Sequence, residues 1–228
     1  MQKKILEQLL RDRAEKRAVA LVTNLATGTE QLLYAQDNAQ TELVQQARIA
    51  LHEDKARTVE IPEGEVFINV FNPPLRLLIA GAVHIAQPLA RMAALAGYDV
   101  TIIDPRRAFA TEERFPGVTL LTEWPDAGVA ELRPDARTAI VTLTHDPKLD
   151  DAALGVALNS ASFYIGCLGS KKTHAARLQR LALAGFDEAQ LARIHGPVGL
   201  AIGAKSPAEI AVSILAQMTS ILRGGAVA

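Results

Sequence analysis

Residues 75–104 read LRLLIAGAVHIAQPLARMAALAGYDVTIID. Leu75 to Ala80 is an apolar run of strand length, interrupted only by Arg76. Gly81-Ala82 ends it. Ile85 to Ala96 then carries apolar residues at helical spacing, and Gly97 suits the helix end. Asp99 to Asp104 is a second strand-like run. Strand, tight turn, helix and strand in this order predict the first unit of a Rossmann-like nucleotide-binding fold.

The pattern continues toward the C-terminus. Val118 to Leu121, Thr138 to Thr144 and Phe163 to Leu168 read as strands, with helices over Leu149–Ser160 and Thr173–Ala184. The last helix has the plainest start. Ser206 suits its cap, Pro207 its first position, and Glu209 completes a capping box. Ile210, Ile214, Met218 and Ile221 recur on one face. Alternating strands and helices with apolar strands predict a parallel sheet covered on both sides.

Upstream the pattern differs. Residues 3–13 place Ile5, Leu6, Leu9 and Leu10 on one helical face. Ala18 to Leu25 and Gln31 to Tyr34 read as strands joined at Thr27-Gly28-Thr29, and Thr41 to Leu51 as a helix. Thr58 to Ile61 and Glu65 to Val70 read as a strand pair bent at Pro62-Glu63-Gly64. Asn72-Pro73-Pro74 is a stiff breaker. The expected class is therefore α/β: a small α+β N-terminal domain, 1–72, followed by a Rossmann-like domain, 73–228.

Composition narrows the function. Of the 228 residues, 24 are basic and 25 acidic, giving a net charge of -1, so a dedicated nucleic-acid binder is disfavoured. The single cysteine, Cys167, excludes an internal disulfide and fits a reducing cytoplasm. Met1 to Arg13 lacks the compact apolar centre of a signal peptide. Leu75 to Gly97 contains Arg76, His84, Gln87, Pro88 and Arg91, which argues for a buried strand and helix over a membrane span. A cytoplasmic protein without a membrane span is expected.

Candidate binding residues cluster at expected strand ends. In Gly81-Ala82-Val83-His84-Ile85-Ala86 a dinucleotide fingerprint wants glycine at the first and third positions. Gly81 fits, while Val83 predicts that a pyrophosphate is held away. Gly81, Val83 and His84 are the turn's candidate contacts, unless the turn binds nothing. Asp104 stands 23 positions after Gly81, near where an acid hydrogen-bonds a ribose. Arg106 and Arg107 suit phosphate, although pairing with Glu112 or Glu113 explains them equally well. His145, beside Asp146, follows a strand at the same edge and serves either as a ligand contact or as half of a structural pair.

Gly169-Ser170-Lys171-Lys172 closes another strand and opens a helix. Two lysines in a first helical turn oppose the helix dipole, which an anion would reconcile. Gly169, Ser170, Lys171 and Lys172 are therefore the best anion candidates, with Asp104, Arg106 and His145 as expected neighbours; an exposed basic turn is the alternative. Cys167 reads as a small apolar filler. The glycines of Gly196-Pro197-Val198-Gly199-Leu200 permit close approach to a ligand or merely connect two elements. Metal-ligand spacings, nucleophile elbows and P-loops are lacking, so neither metal nor catalytic residues are expected.

These stretches, in this order, resemble the Rossmann domain of the xanthine dehydrogenase accessory (XdhC/CoxI) family. The likeness rests on Gly81 to Ala86, Asp104-Pro105-Arg106, Leu143 to Lys148, Ile165 to Thr173, and Ile194 to Leu200 through Ser206 to Ala211. It implies a chaperone that binds molybdenum cofactor, as molybdopterin or its dinucleotide form, and carries it as cargo. Sulfuration of the cofactor and delivery to a molybdenum hydroxylase follow, with xanthine dehydrogenase or carbon monoxide dehydrogenase as client. A cysteine desulfurase partner and a homodimer are implied as well. The sequence departs from the family at Val83, where glycine is usual, and residues 1–72 resemble the family's first domain only loosely. Two other classes stay open: an NAD(P)-dependent oxidoreductase, and a regulatory module binding a simple nucleotide.

Overall fold

The computed structural model describes residues 2–225. Met1 and residues 226–228, the outermost positions of the two expected domains, lie outside the described residues. The chain divides into two compact units, one ending at Pro73 and the other beginning at Pro74.

The first unit runs α1 (Lys3–Ala14), β1 (Val19–Asn24), β2 (Glu30–Leu33), α2 (Glu42–Glu53), β3 (Arg57–Ile61) and β4 (Gly64–Phe71). Its strands form an antiparallel sheet in the order β2-β1-β4-β3. Helix α2, capped by Thr41 on the Val44 amide, lays Val44, Ala47 and Leu51 against Ala20, Val22, Val66 and Ile68 of the sheet. Alternate strand residues therefore face this core, as period-two strands require.

The second unit continues with β5 (Leu75–Ala80), α3 (Ala86–Leu95), β6 (Tyr98–Ile103), β7 (Thr119–Leu121), α4 (Pro125–Glu131) and β8 (Thr138–Thr142). It ends with α5 (Pro147–Leu158), β9 (Tyr164–Cys167), α6 (Lys171–Leu183), α7 (Glu188–Leu191), β10 (Ile194–His195) and α8 (Pro207–Arg223). The six strands are parallel, in the order β10-β9-β8-β5-β6-β7. From β5 the chain builds outward through β6 and β7, then returns to place β8 on the other flank of β5. This is the Rossmann strand order, and the expected α/β class holds.

Every residue of β5 and β8 is buried because helices cover both faces. Leu77 and Ile79 face the side of α3 and α8, with Leu89, Ile102, Val141, Ile214 and Met218. Leu78 and Ala80 face the side of α4, α5 and α6, with Ile103, Val129, Ile140, Leu154 and Leu181. Each large side chain so buried contributes roughly 1.5–3 kcal/mol. Arg76 is tolerated in β5 because both terminal nitrogens of its guanidinium are partnered. They donate to the Leu132 and Arg133 carbonyls and Thr138 Oγ1, and one pairs with Asp135 at 3.2 Å.

Several boundaries differ from expectation. Helix α5 starts at Pro147 rather than Leu149, and α6 starts at Lys171, with the lysine pair in its first turn as expected though ahead of the apolar pattern from Thr173. In each case the cap, Ser170 or Asp146, sets the start by accepting an amide of the first turn. Helices α4 and α7 and the two-residue β10 are too short to leave a periodic signal. No helix among the described residues is long and apolar enough to cross a membrane.

The start of α8 matches its expectation in detail: Ser206 Oγ accepts the Glu209 amide and the Glu209 carboxylate accepts the Ser206 amide. Ser206→Ala should therefore lower stability by about 1 kcal/mol. Urea unfolding should show an earlier midpoint with an unchanged slope; an unchanged midpoint would show that the cap contributes nothing.

Candidate functional site

The C-terminal ends of β5 and β8 lie side by side, yet their chains leave in opposite directions. Helix α3 follows one and α5 the other. Such a reversal opens a crevice where ligands of open α/β sheets bind. The site is built from strand ends along this edge.

At the end of β5 the Gly81 amide donates to the Ile103 carbonyl at 2.9 Å, and Gly81 adopts φ +114°. A β-carbon there would lie 2.7 Å from Thr144 Cγ2, so the approach of the β8 loop demands glycine. Ala82 follows, buried, and Val83 is half-buried and packs against the core on the α3 side. Val83 is thus held by hydrophobic contact rather than standing free in the turn. His84 is exposed. Pro88 falls in the first turn of α3, where a missing amide costs little. No side chain caps that helix.

Asp104, after β6, binds this turn. Its Oδ2 accepts the Ala82 amide at 2.7 Å and Arg106 Nη2 at 2.7 Å. Its Oδ1 accepts the Arg106 amide at 2.9 Å and Nε at 2.8 Å. Burial pushes the carboxyl pKa up, but these donors outweigh burial and hold it below the usual carboxylate range. Arg106 therefore pairs with Asp104, not with Glu112 or Glu113. Its face rests on Phe109, with Cζ 4.7 Å from the ring centroid.

The β8 loop is pinned by Asp150 of α5. Asp150 Oδ1 accepts the Thr144 amide at 3.1 Å and its hydroxyl at 2.7 Å. His145 is exposed and takes φ +63°, a left-handed conformation uncommon for a residue with a β-carbon. Asp146 is no partner for it, since Asp146 caps α5 through the Lys148 amide. Arg106 lies near enough to Asp146 and Asp150 to feel their charge.

At the end of β9, Ser170 caps α6 by accepting the Thr173 amide at 3.1 Å. Lys171 and Lys172 are exposed and form no ion pair with any described residue. Beneath them lies Arg177, 2% exposed, donating to the Leu168 carbonyl at 3.0 Å. It faces Asp150 at 3.9 Å and Asp151 at 3.8 Å. Arg177 Nε and Nη1 and Asp150 Oδ2 are buried without hydrogen-bond partners among the described residues. Burial raises the Asp150 pKa despite the Thr144 bonds and the Arg177 charge.

Cys167 is buried, 2.6 Å from the Thr142 hydroxyl, and burial pushes its thiol up to about 12. It is a protonated filler at neutral pH. The glycine loop packs inward as well. The Gly199 amide donates to Gln217 at 2.8 Å, and Gly196 abuts the His174 ring, whose pKa burial and Arg177 lower.

The structure thus gathers Gly81, Val83, His84, Asp104, Arg106 and His145 around the β5–β8 opening. Gly169, Ser170, Lys171 and Lys172 sit one strand beyond β8. Strands β9 and β6 are three strand spacings apart, about 14 Å. Lys172 and Arg106 thus belong to separate strand ends of the same edge. Sequence reasoning missed Asp150, Arg177 and Phe109. Asp150 precedes Leu154 and Ala157 on one helical face, and Arg177 precedes Leu181, so a charge at apolar spacing was the available signal.

Comparison with known proteins adds the following. The model of the XdhC Rossmann domain matches residues 77–218. The uncharacterized protein YqeB of Escherichia coli (strain K12) is 34% identical over 160 residues, 68% of this chain and 29% of that one. A probable xanthine dehydrogenase subunit of Bacillus subtilis (strain 168) is 36% identical over 154 residues, 67% of this chain and 44% of that one. The molybdenum cofactor insertion chaperone PaoD of Escherichia coli (strain K12) is 32% identical over 151 residues, 66% of this chain and 41% of that one. The chain thus spans less than half the length of these relatives. The crystal structure of a xanthine dehydrogenase from Bacillus halodurans superposes with a TM-score of 0.68 at 23% identity, covering 97% of this chain and 66% of that one, which shows a shared fold.

Two outcomes follow from the buried charges. Arg177→Met strands Asp150 in the interior and should cost about 3–5 kcal/mol, with Asp150→Asn added to it restoring part of the loss. Equal stability of the single variant in urea would show that the pair is idle. For Asp104 the folded pKa lies below the unfolded value of about 3.9. Its stabilisation is therefore complete above that value and is lost as pH falls through the lower folded one. The stability gap between wild type and Asp104→Asn should be widest near neutrality and narrow in acid below about pH 4; a pH-independent gap would contradict this.

Proposed function

The chain belongs to the XdhC family, its Rossmann domain spanning residues 77–218, and from that premise we propose that it binds molybdenum cofactor at the crevice edge and passes it to a molybdenum hydroxylase. The observation that carries this reading is the cationic edge itself. Lys171 and Lys172 form no ion pair with any described residue in the first turn of α6, and α3 opens nearby without a side-chain cap. Helix N-termini and free ammonium groups favour phosphate. The names of two relatives, a molybdenum cofactor insertion chaperone and a probable xanthine dehydrogenase subunit, support the same role.

The residues suit the anionic part of such a cofactor. Lys171 and Lys172 would neutralise part of its negative charge, Asp104 would keep the β5 turn in shape, and His145 would border the opening. The molybdenum centre supplies hydroxylation chemistry only within the client enzyme. The role is carriage rather than catalysis: at this edge Ser170, Thr144 and Cys167 bond to Thr173, Asp150 and Thr142, not to a histidine base.

Sulfuration is part of the proposal, with a constraint. The single cysteine is buried and protonated, so sulfur would come from a separate cysteine desulfurase while this chain holds the cofactor. The proposed client is a xanthine or carbon monoxide dehydrogenase, the assembly a homodimer and the compartment the cytoplasm.

The lysine pair tests the reading. Lys171→Ala with Lys172→Ala should weaken binding of molybdenum cofactor, released from a purified molybdenum enzyme, by about 1–3 kcal/mol. Fluorescence of the single tryptophan, the exposed Trp124, reports the titration. Unchanged affinity would place the cofactor elsewhere, and no binding by the wild-type chain would overturn the reading.

A further inference from the structure

Asp104 stands where a dinucleotide-binding Rossmann fold presents the carboxylate that accepts ribose hydroxyls. A sugar diol brings donors and needs free acceptors. This carboxylate has none to give. It is 0% exposed and both oxygens already accept two bonds each, from Ala82 and from the Arg106 amide, Nε and Nη2.

What the loop offers instead is oriented positive charge. Arg106 is clamped along one edge by Asp104 and on one face by Phe109, yet its side chain stays 37% exposed. Its Nη1 lies on the edge away from that clamp. Arg114 flanks the same ring at 5.8 Å, tethered to the Phe109 carbonyl at 2.6 Å. Arg107 is exposed and forms no ion pair with any described residue. Glu112, an expected partner for these arginines, accepts the Gly117 amide through Oε1 and forms no ion pair with them. The loop is fixed to the start of α3 through Gln87, which donates to the Arg114 carbonyl at 3.3 Å. The result is a fixed guanidinium with a second beside it and a clamping carboxylate whose acceptors are filled, while Asp146 and Asp150 act on Arg106 only through their charge. A phosphate monoester carries about two charges and three free oxygens, which suits paired guanidinium forks.

We propose that the loop at the end of β6, with Arg106 and Arg107 as its donors, is a subsite for a phosphate monoester carried by a heterocyclic ligand of the crevice, and that it rejects a bare ribose diol. This rests on the reading that the crevice holds a phosphorylated heterocycle. Two sources share the chemistry: a nucleotide phosphorylated on its ribose 2′-hydroxyl, and a pterin ending in a phosphate monoester.

Calorimetry on the full chain separates them. Adenosine 2′,5′-bisphosphate is compared with AMP, and molybdopterin with its cytosine dinucleotide. Each is measured on wild type, Arg107→Ala and the Lys171→Ala/Lys172→Ala protein. Arg107 is exposed, so its loss should leave folding intact. The bisphosphate should bind about tenfold more tightly than AMP. Arg107→Ala should erase that preference, and the lysine variant should keep it. If instead only molybdopterin outcompetes its dinucleotide, with the same dependence on Arg107, the pterin is the source. Binding with neither preference nor Arg107 dependence would overturn this inference and leave the crevice reading standing. No binding by any of the four ligands would overturn both.

Discussion

Gly81 passes within contact distance of Thr144, and the arrangement of the edge follows from that approach. Strands β5 and β8 are neighbours whose chains must part immediately after their last shared hydrogen bonds. Only a residue without a side chain lets the β5 turn pass the β8 loop so closely. The positive φ of Gly81 then aims the next amide, that of Ala82, at Asp104. On the other flank Thr144 is drawn down onto Asp150, and the chain reaches α5 through His145 in a left-handed turn. Two loops that carry candidate ligands are thus shaped by one steric constraint and two carboxylates.

Those carboxylates do opposite things electrostatically. Asp104 is surrounded by donors and kept charged, so it works as a rigid anchor for the β5 turn and for Arg106. Asp150 is more poorly served: one oxygen holds Thr144, while the other faces a guanidinium at 3.9 Å without a hydrogen bond. A buried pair with leftover donors and acceptors adds little to stability but fixes geometry. Here it links the Thr144 loop to Leu168, and so to the turn that starts α6. Both anion candidates beyond β5 therefore rest on the same buried pair.

Much of this was legible in the sequence because local chemistry determined it. The apolar runs of β5 and β8, the Ser206–Glu209 box and the Ser170 cap are short-range signals that no tertiary contact overrides. A boundary moved where a cap outranked the apolar pattern, as at Asp146. What could not be read was which charges pair with one another. Asp104 is spaced like a ribose ligand, yet Arg106, two residues on, occupies it. Val83 packs against the core, a contact that no local pattern announces. Asp150 and Arg177 lie far apart in sequence, on different helices, and their pairing exists only once β8 and β9 are neighbours.

A carrier faces a constraint that an enzyme with a resident cofactor does not: the same contacts that hold the cargo must let it go. The distribution of charge at this edge suits that demand. The buried groups, Asp104, Asp150 and Arg177, shape the loops. The groups left to meet an anion, Lys171, Lys172, Arg107 and part of Arg106, are open to solvent. Each exposed charge contributes on the order of 1 kcal/mol or less and is screened by salt. In the proposed role, several together would hold a phosphorylated ligand, and a client offering a deeper, drier pocket would displace them one contact at a time. Loops held this way would, in that role, let the cargo leave without a large rearrangement, and the handover would be governed by the relative depth of two anion sites rather than by unfolding either one.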